Sequence, residues 1–163
     1  MYKILVINLG STSTKIAYYE DDVCKVKSNI EHPIEETKQF NHYMEQNKYR
    51  EKYIKRFLKE NNININELDA IVSRGGHTKP LEGGVYKICE EMLEQQASAL
   101  YGQHPCDLGS KIAYEMCVNI KAIPLIVDPP VTDEFEPLAR LSGHPLIERR
   151  SSFHALSHKA TAK

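Results

Sequence analysis

No apolar run in this 163-residue sequence approaches the length needed to span a bilayer, so a transmembrane helix is excluded. Charge of one sign is equally absent: 21 Lys and Arg stand against 22 Asp and Glu, which indicates neither a nucleic-acid surface nor an acidic tail. Cys24, Cys89, Cys106 and Cys117 are scattered, without a C-x-x-C pair or zinc-like spacing. Their number alone allows disulfides, but the residues after Met1 do not read as a secretory leader. Reduced thiols in a soluble cytoplasmic protein are the expectation. A Rossmann site lacks its G-x-G-x-x-G, a zinc protease lacks its H-E-x-x-H, and there is no internal repeat. The length suits one domain with a core of its own.

What is present concentrates at the start. Residues 3–9 and 15–19 are strand-like, and the continuous Ile4-Leu5-Val6-Ile7 suits a strand buried on both faces. Between them, Gly10-Ser11-Thr12-Ser13-Thr14 is a turn whose small side chains leave backbone N–H groups open. Such a turn can hold a phosphate, with Lys15 adding positive charge. It is equally a β-hairpin with a polar tip, and spacing does not decide between the two. It is not a Walker loop, because no second glycine precedes Lys15.

A third strand is expected over 23–32, ending before Pro33. Residues 34–61 read as helix in two blocks, carrying Phe40, Tyr43, Met44 and then Tyr53, Ile54, Phe57, Leu58, with a break at Gln46-Asn47-Lys48. Lys48, Arg50, Lys52, Lys55 and Lys59, mixed with Glu45, Glu51 and Glu60, read as a solvated helical face. Short strands follow at 70–72, 85–88 and 122–127, with helices at 89–100 and 107–119 and a short helix at 137–141. Strands first and then alternating helices and strands indicate α/β or α+β.

Four further groups carry candidate chemistry. Arg74, after an apolar strand and before Gly75-Gly76-His77, offers a guanidinium fork for a carboxylate or phosphoryl group, or is a surface arginine before a glycine turn. His104 in Gln103-His104-Pro105 is a donor or flanks the next helix. Asp128 ends an apolar strand, where a metal-positioning carboxylate or an ordinary turn residue belongs. His154 and His158 share one helical face, a candidate metal pair with no third ligand evident.

In chain order, Asn8-x-Gly10-Ser11-x-Ser13-x-Lys15, Arg74-Gly-Gly-His77, Gln103-His104-Pro105, Asp128 and Phe153-His154 with Ser157-His158 resemble the acetate and butyrate kinase family of the actin-like ATPase superfamily. Asp128-Pro129-Pro130 is similar to the butyrate and branched-chain members, where acetate kinases continue Asp-Thr-Ala-Phe-His. This points to a longer acyl chain. The resemblance implies an α/β fold: one actin-like (ribonuclease H-like) lobe over 1–145, a mixed central sheet flanked by helices, with the start of a second, truncated lobe at 146–163. It implies phosphoryl transfer from ATP to the carboxylate of a short-chain fatty acid, with Mg²⁺. Arg74, Asp128, His154 and His104 are then catalytic. Asn8, Gly10, Ser11, Thr12, Ser13 and Lys15 bind the nucleotide phosphates, and Asn8 and Asp128 serve the metal. Implied partners are butyrate or isobutyrate, ATP and ADP, and further copies of the chain, with no nucleic acid or membrane. The alternatives are a truncated module that folds or binds phosphate or a partner without turnover, and the lobe of a sugar kinase or chaperone. The latter are not expected to carry Arg74-Gly-Gly-His77 or Phe153-His154.

Overall fold

The computed structural model describes residues 1–151 and 154–162; Ser152, Phe153 (which opens the Phe-His motif) and Lys163 lie outside the described residues. The opening meander is β1 Lys3–Leu9, β2 Ser13–Glu20 and β3 Val23–Glu31, all antiparallel. Then come α1 Ile34–Thr37, α2 Asn47–Glu60, β4 Ala70–Ser73, β5 Val85–Lys87, α3 Glu90–Ala97, α4 Asp107–Cys117 and β6 Ile123–Val127. A small hairpin, β7 Leu141–His144 with β8 Ile147–Glu148, precedes α5 Ala155–Thr161. Six strands form one mixed sheet in the order β3-β2-β1-β4-β6-β5, with β1, β4 and β6 parallel. This is the expected α/β architecture.

The apolar run in β1 is not buried on both faces as its composition suggests. Leu5, Ile7 and Leu9 are buried, while Ile4, Val6 and Asn8 on the opposite face are half-buried. The cause is one-sided cover: α4 packs on β1, β4 and β6, and α2 packs on β2 and α4. Ile54, Phe57 and Leu58 of α2 and Leu108, Ile112 and Met116 of α4 close the core over Leu5, Ile7, Ile16, Ile71 and Ile126. Each large aliphatic side chain so buried contributes about 1.5–3 kcal/mol.

The helical block at 34–61 divides earlier than its composition indicates. α1 stops at Thr37, a 3₁₀ turn spans Tyr43–Gln46, and α2 starts at Asn47, so Gln46-Asn47-Lys48 opens a helix and does not break one. Asn62, at φ 55°, ends α2, and the Ile63 N–H reaches the Leu58 carbonyl at 2.9 Å. Asparagine takes the left-handed cap position at modest cost. The face read as solvated is also corrected: Arg50 and Glu51 are buried. Glu51 sits there because Lys48 and Lys55 pair with it at 3.0 and 2.7 Å. Arg50 has a different reason, given below. All four cysteines are free thiols.

Candidate functional site

Because β1, β4 and β6 run parallel in adjacent positions, their C-terminal ends share one edge of the sheet. Asn8 and the turn after it, Arg74 and Asp128 all lie there. Open parallel sheets present their ligand groups at this edge. α4 begins at the same edge, since Asp107 at its start bonds His77 just beyond β4. His104 is therefore brought in as well.

The turn at 10–13 closes through the Gly10 N–H and the Ser13 carbonyl, 2.9 Å apart. Arg50, 1% exposed, lies behind it. Its Nη1 donates to the Ser13 carbonyl and to Thr14 Oγ1 at 3.0 and 3.1 Å, its Nη2 to the Ser11 carbonyl at 3.0 Å, and its Nε to Gln46 Oε1 at 3.0 Å. The Thr12 carbonyl accepts the His32 N–H at 2.8 Å. Thr14 Oγ1 also lies 2.8 Å from His32 Nε2, and His32 Nδ1 lies 3.2 Å from the Tyr49 hydroxyl, which donates to Glu36 at 2.8 Å. The Tyr49 hydroxyl spends its proton on Glu36, so His32 Nδ1–H donates to Tyr49; in the neutral ring Nε2 is then unprotonated and accepts from the Thr14 hydroxyl. Burial, and then the Arg50 charge, hold His32 neutral by lowering its pKa to about 4. Asn8 and Lys15 are cross-strand partners on the open face, sharing a shallow cleft with Val6, Ala17, Lys27 and Asn29.

Arg74 and His154, eighty residues apart, meet directly. Arg74 Nη2 lies 2.8 Å from His154 Nδ1 and 3.3 Å from Nε2. Burial first, then the Arg74 charge, lower the His154 pKa, so the neutral ring accepts from the guanidinium. His154 stands at φ 55° as the N-cap of α5, and Asp128 stands at φ 44°. Left-handed backbone at non-glycine residues is costly and gathers at functional sites. The His154 N–H holds the Pro130 carbonyl at 3.0 Å, which ties α5 to the turn after Asp128. The His154/His158 metal pair gains no third ligand among the described residues.

One carboxylate joins the arginine turn to the histidine loop. Asp107 Oδ1 accepts the His77 N–H at 2.7 Å and His77 Nδ1–H at 3.0 Å; Oδ2 accepts the His104 N–H at 2.8 Å and the Tyr43 hydroxyl at 2.9 Å. A side chain at Gly76 would put its Cβ 2.1 Å from Asp107 Oδ1, so glycine is required for this approach. His104 Nδ1 accepts from the Cys106 N–H at 3.2 Å, which leaves its proton on Nε2. Burial lowers the His104 pKa, against the opposing Asp107 charge. His77, Cys106 and Asp107 lie close enough to hold a metal, but both Asp107 oxygens are already committed to two donors each. The Cys106 thiol is also pushed up to about 12 by burial. The cluster is a hydrogen-bond hub.

Asp128 is exposed, and its Oδ1 accepts the Gly84 N–H at 2.8 Å, which fixes the carboxylate against the Gly83-Gly84 turn. Asn8 and Asp128 end strands two positions apart, about 10 Å by ordinary strand spacing. Beyond Asp128, Arg140 grips Asp133 with two bonds of 2.9 and 3.0 Å. Arg50, Asp107, Tyr43 and Arg140 had no motif to mark them. The signal available for Arg50 was only its place among apolar positions of α2. Together the edge offers two neutral imidazoles, an arginine fork, a lysine and a glycine-serine turn, which suits a multiply charged anion beside a carboxylate ligand.

No protein-family model matches the sequence. A probable butyrate kinase of Listeria innocua is 40% identical over 162 residues, which cover 99% of this chain and 46% of that protein. Butyrate kinase 1 of Clostridium acetobutylicum is 42% identical over 163 residues, again 46% of its length. The chain is a relative of the butyrate kinases. It spans about half the length of the relatives it matches. The backbone fits the acetate kinase structure of Porphyromonas gingivalis with a TM-score of 0.62 at 17% identity, covering 99% of this chain and 48% of that one. The Entamoeba histolytica acetate kinase gives 0.61 at 17% identity, covering 97% and 44%. The fold shared with these kinases is the actin-like one, as the motifs implied.

Proposed function

We propose that the chain supplies the acid- and phosphate-binding half of an enzyme that transfers a phosphoryl group from ATP to a short-chain fatty acid, giving butyryl phosphate and ADP from butyrate and ATP. The observation that carries this is the gathering of five separate sequence islands at one sheet edge, in a relative of the butyrate kinases. The substrate carboxylate is ionised near neutral pH and needs no general base. Catalysis then consists of alignment and charge neutralisation.

Arg74 holds the acid carboxylate or the γ-phosphoryl oxygens, and its contact with His154 orients the imidazole. His104 donates from Nε2 toward a phosphoryl oxygen, with Cys106 fixing the tautomer. Gly10, Ser11, Thr12, Ser13 and Lys15 face the nucleotide phosphates. The residues present fit a magnesium ion: Asp128 is exposed, with one oxygen already tethered, and Asn8 lies along the same edge. Their separation suits contact through metal-bound water, which Mg²⁺ retains readily. Bound there, Mg²⁺ neutralises phosphate charge. Residues 1–145 form the N-terminal lobe of this reading and 146–163 the start of a second lobe. The acid is butyrate or isobutyrate, the working form is a homo-oligomer, and the compartment is the cytoplasm.

The test is acyl phosphate formation from MgATP and butyrate by the complete protein, trapped as the hydroxamate. Arg74→Ala is expected to lower kcat/KM by about 10²-fold or more, the scale of a lost charge-stabilising donor. Unchanged turnover in that variant sinks the assignment.

A further inference from the structure

Arg50 is a buried cation, and among the described residues no carboxylate forms an ion pair with it. An unpaired charge so placed is costly, and in structural roles it is ordinarily matched by a carboxylate. Here its acceptors are instead the carbonyls and hydroxyl of the 11–14 turn, with Gln46 taking Nε.

We propose that Arg50 is a positioning residue for phosphate: it pins the Ser11 and Ser13 carbonyls inward so that the turn's N–H groups face a bound phosphoryl group, whose charge then balances the guanidinium. This deepens the kinase reading and rests on it for the identity of the turn. In a planar trans peptide, C=O and N–H point in opposite directions. Drawing the Ser11 carbonyl onto Nη2 therefore turns the Thr12 N–H away from Arg50, and drawing the Thr12 carbonyl onto the His32 N–H turns the Ser13 N–H away from the β3 side. A nest of outward amides is an anion site. The planar fork reaches two carbonyls and a hydroxyl at once, which a lysine ammonium in the same space cannot reproduce.

The probe is magnesium tripolyphosphate, read as the ligand-induced rise in the urea unfolding midpoint of the chain and as Kd by calorimetry. A merely structural Arg50 lowers the midpoint with and without ligand alike, leaving the ligand-induced increment intact. In the proposed role, Arg50→Gln weakens Kd by about tenfold or more and shrinks the increment accordingly; Arg50→Lys, though still charged, weakens it by about fivefold. Wild-type affinity in either folded variant overturns the proposal while leaving the kinase reading standing. Failure of the unsubstituted chain to bind tripolyphosphate overturns the turn as a phosphate site, and the proposal with it. A second readout needs no variant. Saturating tripolyphosphate is expected to slow hydrogen exchange at Arg50 Nε–H and the Thr12 amide about tenfold, and unchanged exchange overturns the proposal.

Discussion

Asp107 accepts four N–H and O–H hydrogen bonds on a single fully buried carboxylate and so fixes the spacing between the arginine turn and the His104 loop. Replacing it with asparagine keeps the shape but turns one oxygen into a donor facing donors. Asp107→Asn is expected to cost about 2–4 kcal/mol of stability, measured by urea denaturation, because a buried polar network is left mismatched. A loss below about 0.5 kcal/mol contradicts the four-bond geometry. In the sequence Asp107 was simply the first residue of a helix. Arg74 and His104 could be read because glycines and a proline frame them, whereas the residue that holds them together has no local signature. Its partners are 3, 30 and 64 positions away.

At the level of elements, the meander and α2 are joined beneath the turn at 10–13 by His32, and this join is sensitive to acid. The folded protein binds the His32 proton only near pH 4, while the unfolded chain binds it near 6.5. As pH falls the unfolded state takes up the proton first, so the stabilisation is complete above about 6.5 and is lost progressively down to 4. Unfolding free energies from urea denaturation at pH 7 and 4.5 should differ by about 2 kcal/mol more in the unsubstituted protein than in His32→Gln. α4 gives a second element-scale expectation. Burial pushes Cys106 and Cys117, at its two ends, up to about 12 and 11. Iodoacetamide at pH 8 should label the exposed Cys24 and Cys89 and leave the other two untouched until the protein unfolds, as peptide mapping would show. The positions of β1 to β6 and of α3 and α4 were legible from periodicity. The burial of Arg50 was not, because charge at a helical position reads as solvent exposure until the partner surface is known.

Across the whole molecule, the sheet with its helices is one packed body, whereas β7 and β8 pair chiefly with each other. Residues 141–150 are exposed throughout, with Leu146 at 88%. Brief digestion with trypsin should therefore cut first after Arg149 or Arg150 and leave the six-stranded sheet intact, identified by mass spectrometry. First cuts inside β1, β4 or β6 would contradict this division. The sequence order of strands and helices indicated the sheet. It gave no hint of the hairpin, whose Ser142-Gly143-His144-Pro145 read only as a turn.

The six strands also end somewhere, on β3 to one side and β5 to the other. A sheet border is a row of unfilled donors and acceptors, open to a strand from any passing chain. β3 meets that hazard with Lys25, Lys27 and Glu31 exposed along its length, and β5 by being only three residues long with Lys87 at its end. Both borders thus discourage cross-β growth, and copies of the chain that associate must do so through a face of the molecule and not by extending the sheet.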